Sequence, residues 1–302
     1  MGKDVEWKSF FQDNHRYADI INGIGCDGVQ LVKDTDLTEV DPTSKKNTRD
    51  LLRKVALGMN FAIVGIENQE EMDYSYPLRN MQYDVAGYQK QAVAIRKEAR
   101  ANPKGLEHGE YMYGFKKDSK LSPQVTFALY AGEKPWDSPI CLHDMLDFTD
   151  VPDSLRDMVA DYKVNIIDIR QFKNTDVFKT DVKQVFDFIR FSEDKEKLLE
   201  LVENDIYYHQ MDDDAFDVVT KYTNSKGIVK MKNYDVGGGK KDMCKAIRDL
   251  MDDSREEGRE CALIENAKNL LDVLSDEVIA EKIGLPLEKV KELRAEKNMS
   301  SQ

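Results

Sequence analysis

The sequence predicts an α/β protein: a mixed sheet flanked by helices, followed by an all-helical second half. Three observations predict it. An apolar hairpin bearing acids at its open end spans residues 49–67. Two further apolar runs, Val125–Tyr130 (VTFALY) and residues 164–169 (VNIIDI), have the length and composition of buried strands. After about Asp176 the period changes to that of helices separated by acidic spacers.

Taken in order, residues 5–22 predict one helix, because Trp7, Phe10, Phe11, Ala18 and Ile21 recur at helical spacing, with His15 on the same stripe. Gly23, Gly25 and Gly28 end it, and residues 29–33 (VQLVK) form the first strand candidate. Residues 34–47 are polar, contain Pro42 and read as a loop. The hairpin follows. If its loop is Gly58 and Met59, opposed residues have numbers summing to 117, so that Asp50 lies across from Glu67 with Gln69 on the same face. Two opposed carboxylates repel; a shared proton, a hard divalent cation or a solvated strand end would each relieve that repulsion.

Pro77 suits the start of a long helix whose apolar stripe is Leu78, Met81, Val85, Tyr88, Ala92, Ile95 and Ala99. Arg79, Tyr83 and Lys90 flank that stripe. Residues 101–122 read as a basic surface loop. Beyond Asp176, apolar residues recur at helical spacing through Val219, and residues 236–242 (VGGGKKD) read as a hinge, lacking the full pattern of a phosphate loop. Residues 243–274 predict a long helix, with a break near Gly258. The tail, residues 275–293, reads as helix, turn at Gly284-Leu285-Pro286, and helix, suited to packing or self-association.

The net charge of −13 argues against broad, non-specific binding to nucleic acid, while Lys45, Lys46, Arg49, Arg53 and Lys54 form a local basic cluster around Asp50. Four scattered cysteines and four scattered histidines show neither disulfide nor zinc spacing. With no apolar run long enough to span a membrane and no signal-peptide pattern, the expected location is the cytoplasm.

The stretches RYADIINGIG (16–25), RDLLRKV (49–55), IENQ (66–69), PLRNMQYD (77–84) and FKTDVKQVFDFI (178–189), with the tail IAEKIGLPLEKVKEL, carry a resemblance over almost the whole chain. The sequence closely resembles the Rpn family of recombination-promoting nucleases, also labelled transposases, of the PD-(D/E)XK superfamily. The resemblance implies a restriction-endonuclease-like core over residues 1–175 and a helical C-terminal region over 176–302. It implies a divalent-metal-dependent endodeoxyribonuclease, with Mg²⁺, or Mn²⁺ or Ca²⁺, as cofactor and DNA as partner. Homo-oligomers through the helical region are a further expectation, and no membrane partner is expected. Asp50 and Glu67 would be catalytic metal-binding acids, and Asn68 would offer the metal its carbonyl. Gln69 would stand where the superfamily usually carries Lys. Arg79, Tyr83, Lys90, Arg49 and Arg53 would bind substrate, and Asp19 is a secondary acid whose simpler role is a surface salt bridge. The missing Lys also fits a catalytically weak DNA-binding or regulatory protein built on the same scaffold.

Overall fold

The computed structural model describes residues 5–39, 52–55, 58–66, 73–223 and 234–300. The fold is mixed α/β with a helical C-terminal half. Two short helices, α1 (Val5–Phe10) and α2 (Asn14–Ile20), replace the single one expected. The break is Asp13, whose carboxylate caps α2 by accepting from the His15 N–H at 2.7 Å. Strands β1 (Leu37–Glu39), β2 (Leu52–Val55) and β3 (Asn60–Ile66) pair antiparallel in sequence. The long helix α3 (Tyr76–Ala101) and the short α4 (His108–Tyr113) precede β4 (Gln124–Tyr130). After α5 (Asp153–Arg156) comes β5 (Asn165–Asp168). β3, β4 and β5 are mutually parallel, so the five-stranded sheet runs β1-β2-β3-β4-β5.

Residues 29–33 are not a strand. Their backbone is claimed by the buried side chain of Asn22. Its Oδ1 accepts from the N–H of Leu31 (3.0 Å) and of Val32 (2.9 Å), and its Nδ2 donates to Val32 O (2.7 Å). With its ladder groups already used, this run ends before β1 begins.

The hairpin register also differs. Leu52 pairs with Ala62, Arg53 with Phe61 and Lys54 with Asn60, so paired numbers sum to 114 rather than 117. Gly58, at φ +81°, donates its N–H to Val55 O, while the Val55 N–H donates to Met59 O. A left-handed residue just before the second strand is what a three-residue loop requires, and here it moves β3 by three positions. An odd shift reverses the faces of one strand relative to the other.

The second half comprises α6 (Val182–Phe191), α7 (Lys195–Asn204), β6 (Met211–Asp212), α8 (Asp213–Tyr222), β7 (Lys240–Lys241), α9 (Met243–Leu270), α10 (Asp276–Ile283) and α11 (Leu287–Ser300). Among the described residues it is therefore helical apart from the two-stranded ladder of β6 and β7, which takes the place of the expected hinge. Helix α9 runs unbroken through Gly258. One apolar core gathers Trp7 and Phe10 from α1, Phe127 and Leu129 from β4, Phe186 and Ile189 from α6 and Val219 from α8, and so runs continuously across residue 175. A separate small core unites the end of α9 with α10 and α11 around Ala267, Leu271, Ile279 and Val290. No described helix is long and apolar enough to cross a membrane.

Candidate functional site

Alternation along β4 divides the sheet into two working faces. Phe127 and Leu129 enter the main core, whereas Gln124, Thr126, Ala128 and Tyr130 share the opposite face, where Gln124 and Ala128 meet α3 or its first turn. Helix α3 meets that face through polar atoms. Gln124 Nε2 donates to Asp84 O (3.0 Å), and the Gln124 N–H donates to Tyr88 Oη (3.1 Å). Asn80 Nδ2 donates to Tyr162 Oη (2.6 Å), whose hydroxyl in turn donates to the Asp84 carboxylate. The expected apolar stripe faces inward only in part: Leu78 and Val85 are each 43% exposed and Asn80 is buried, while Met81, Tyr88, Ala92 and Ile95 are half-buried and Ala99 is buried. Gly87 allows this approach, because a Cβ there would lie 2.2 Å from Gln124 Oε1.

The first turn of α3 is tied to the carboxyl ends of the parallel strands. Ser138 Oγ donates to Asp73 O (2.8 Å), Tyr76 packs on Trp136 with ring centroids 5.7 Å apart, and Trp136 packs on Tyr130, the last residue of β4. The Trp136 N–H donates to Asp168 at the end of β5 (3.2 Å). Ile66, the last residue of β3, pairs with Tyr130. The carboxyl edge of a parallel sheet is where α/β proteins place their ligands. Asp73, Tyr76, Trp136 and Asp168 at this rim were not anticipated; no local spacing marks them, because they come from four separate segments.

Arg79 sits on this rim. Its Nη1 is 2.8 Å from Asp73 Oδ2 and its guanidinium lies 4.9 Å from the Tyr76 ring centroid, yet the side chain is 44% exposed. Burial opposes ionisation of Asp73, but hydrogen bonds from the Ser75 hydroxyl and N–H, with the charge of Arg79, outweigh it and hold the carboxyl below its ordinary range. Because α3 is continuous, Arg79, Tyr83 and Lys90 lie within about 40° of one another around the helix, over roughly 16 Å of its length. Tyr83 is half-buried and Lys90 exposed.

Arg53, expected to face substrate, is only 4% exposed: its Nη2 pairs with Glu39 at 3.1 Å, its Nε donates to Asn14 at 3.4 Å, and it lies 5.5 Å from the Tyr17 ring. It binds β2 to β1 and to α2. Asp19, expected at a surface salt bridge or as an outer-shell acid, is 3% exposed. Its carboxylate accepts from the N–H groups of Lys179 and Thr180 and from the Thr180 hydroxyl, at 2.7–2.9 Å. Asp50, Glu67, Asn68, Gln69, Arg49, Lys45 and Lys46 lie outside the described residues. The pairing that set Asp50 directly across from Glu67 loses its premise with the observed register. Among the described residues no group of three or more His, Cys, Asp or Glu is arranged to hold a metal ion.

The stretches 16–25 and 178–189 prove to be each other's partners. Buried Arg16 reaches Asp181 (2.7 Å), Asp212 (3.1 Å) and Asp214 (2.6 Å), and Tyr207 Oη donates to Asp181 at 2.5 Å. Burial works against the Arg16 charge, but the hydrogen bonds and charges of Asp181 and Asp214 overcome it and raise the guanidinium further above its usual value.

Compared with known proteins, residues 32–214 match the family described as "Putative transposase, YhgA-like". The match covers more than half of the 302 residues and spans both acid-bearing segments and α3. The chain belongs to this family. Membership ties it to functions related to mobile elements. No curated protein and no solved structure matched.

Proposed function

We propose that this family member is a divalent-metal-dependent endodeoxyribonuclease built on a PD-(D/E)XK core. The observation that carries the reading is the family match, which spans the hairpin, the IENQ segment and the first turns of α3 together. Element order supports it: helices, three antiparallel strands, a long helix, then a strand parallel to the third, the order of that core. Asp50 stands two residues before β2, and Glu67 directly follows β3, its antiparallel partner.

Asp50, Glu67 and the Asn68 carbonyl would offer oxygen donors only, which fits Mg²⁺, Mn²⁺ or Ca²⁺ and not a soft metal. Such an ion, when bound, supplies Lewis acidity and lowers the pKa of a coordinated water. Gln69, being neutral, orients the attacking water but adds no positive charge. That charge comes from α3. Arg79 is held at the rim by Asp73 with much of its surface open, and Tyr83 and Lys90 continue the same stripe for the flanking phosphates. Arg53, enclosed by Glu39, Asn14 and Tyr17, has no substrate role in this reading.

Supercoiled plasmid incubated with Mg²⁺ or Mn²⁺ should be nicked or linearised, and EDTA should stop the reaction. Binding that weakens as salt rises, with no cleavage under any metal, would instead favour the regulatory scaffold that Gln69 in the Lys position suggests.

A further inference from the structure

After α3 the chain makes a compact excursion, residues 102–123, which leaves the end of the helix and returns to its middle. The Ser122 N–H donates to Gln91 Oε1 (2.7 Å), and Gln91 Nε2 donates back to Ser122 O (3.1 Å). At its tip, α4 is built to hold its shape. Glu110 completes a capping box and accepts the N–H groups of Glu107 (3.0 Å) and Lys117 (2.9 Å). Gly114, at φ +64°, ends the helix against Arg96 of α3, so close that a Cβ would lie 3.2 Å from Arg96 Cγ.

This braced tip spends three large side chains in a row on solvent: Tyr111 is 59% exposed, Met112 62% and Tyr113 78%. Around them Lys104, Lys116, Lys117 and Lys120 are exposed, and none forms an ion pair with a described residue. Residues 76–123 carry nine Lys and Arg against five Asp and Glu, net +4, in a chain of net −13. The tip itself, residues 102–123, carries four Lys against Glu107, Glu110 and Asp118, net +1; Glu110 is occupied by backbone N–H groups and also feels the charges of Lys116 and Lys117. Two residues apart on α4, Tyr111 and Tyr113 project about 160° from each other, so the tip offers two separate rings rather than one apolar patch. Aromatic rings set among unpaired lysines suit unpaired bases and their phosphates, because every base has a face to stack and stacking needs no sequence.

We propose that the α4 tip, through Tyr111 and Tyr113 with Lys116 and Lys117, is a docking surface for single-stranded DNA. This rests on the nuclease reading only for the choice of DNA as partner. Its role is to hold an unpaired segment beside the helix whose other end carries Arg79.

The test is fluorescence anisotropy of the full chain in EDTA, with a labelled single strand and a duplex of equal length. The single strand should bind more tightly. Tyr111→Ala with Tyr113→Ala should weaken single-strand binding on the order of 25-fold, about fivefold per lost stacking contact, and leave duplex binding within about twofold. Tyr111→Phe with Tyr113→Phe should retain it. Lys116→Ala with Lys117→Ala should weaken both and flatten the salt dependence. Parental affinity in the double Ala variant, or tighter binding of single-stranded RNA, would overturn the proposal. A change in sedimentation without a change in DNA binding would overturn it too, making the tip an interface between copies. The two readings fail separately: parental single-strand affinity in the double Ala variant with plasmid cleavage intact removes only the tip, whereas loss of single-strand binding in that variant with no plasmid cleavage by the parent removes only the hydrolysis.

Discussion

Arg16 holds Asp181 with two parallel hydrogen bonds, Nε to Oδ1 and Nη2 to Oδ2, both 2.7 Å, across 165 positions of sequence. The pair joins the first helical segment to the start of α6 and is extended by Asp214 and Tyr207. A bidentate guanidinium that is 7% exposed has no water to fall back on. Arg16→Met should therefore cost about 3–5 kcal/mol in urea unfolding, because it strands buried carboxylates. Arg16→Lys should recover only a minor part, since one ammonium cannot reproduce the fork.

Asn22 makes a second, sharper prediction. Its amide replaces a neighbouring strand for residues 31 and 32. Asn22→Ala should destabilise by about 2–4 kcal/mol, since it leaves buried backbone groups unpaired. Amide hydrogen exchange at Leu31 and Val32 should accelerate before global unfolding.

Asp187 predicts a pH dependence. It is 7% exposed, and burial pushes its carboxyl above the ordinary range, although the Thr175 hydroxyl donates to it at 2.8 Å and Lys183 and Arg190 oppose the rise. A raised folded value means that the folded state binds the proton more tightly than the unfolded state. This group's contribution is thus complete below its unfolded value near 3.8 and is lost as pH rises through the folded one. Asp187→Asn, which can still accept from Thr175, should be more stable than the parent at pH 7. That gain should shrink as pH falls toward 4, read as denaturant midpoints across pH.

Gly58 is the simplest test of the hairpin. It holds φ +81° with nothing within 4 Å of where a Cβ would stand, so Gly58→Ala should cost about 1 kcal/mol from backbone conformation alone. Gly58→Asn should cost less, because Asn tolerates the left-handed region better.

These residues also show what was legible beforehand. β4 and β5 announce themselves as apolar runs of strand length, because their partners lie beside them on the same sheet. The false strand at residues 29–33 has the same composition, and only the distant amide of Asn22 distinguishes it. The hairpin was legible as a hairpin, but its register depended on one glycine's backbone angle. Along α3 the periodicity was correct and the buried face only in part: Tyr88 meets Gln124 and Ala99 is buried, whereas Leu78 and Val85 lie open and Gln124 and Tyr162 recruit Asp84 and Asn80. Arg16 and Asp181 fall within the stretches that carry the family resemblance, but their contact spans the chain and explains packing rather than chemistry. Arg79, Tyr83 and Lys90 do share one helical stripe, as their spacing requires.

The claim that matters most is that Asp50 and Glu67 act together on DNA. Supercoiled plasmid cleavage in Mg²⁺ by the parent, Asp50→Ala and Glu67→Ala, with folding checked by circular dichroism, tests it directly. Each folded variant should lose cleavage by at least about 100-fold, equivalent to about 2.7 kcal/mol of transition-state stabilisation. Variants that cut as fast as the parent would contradict it.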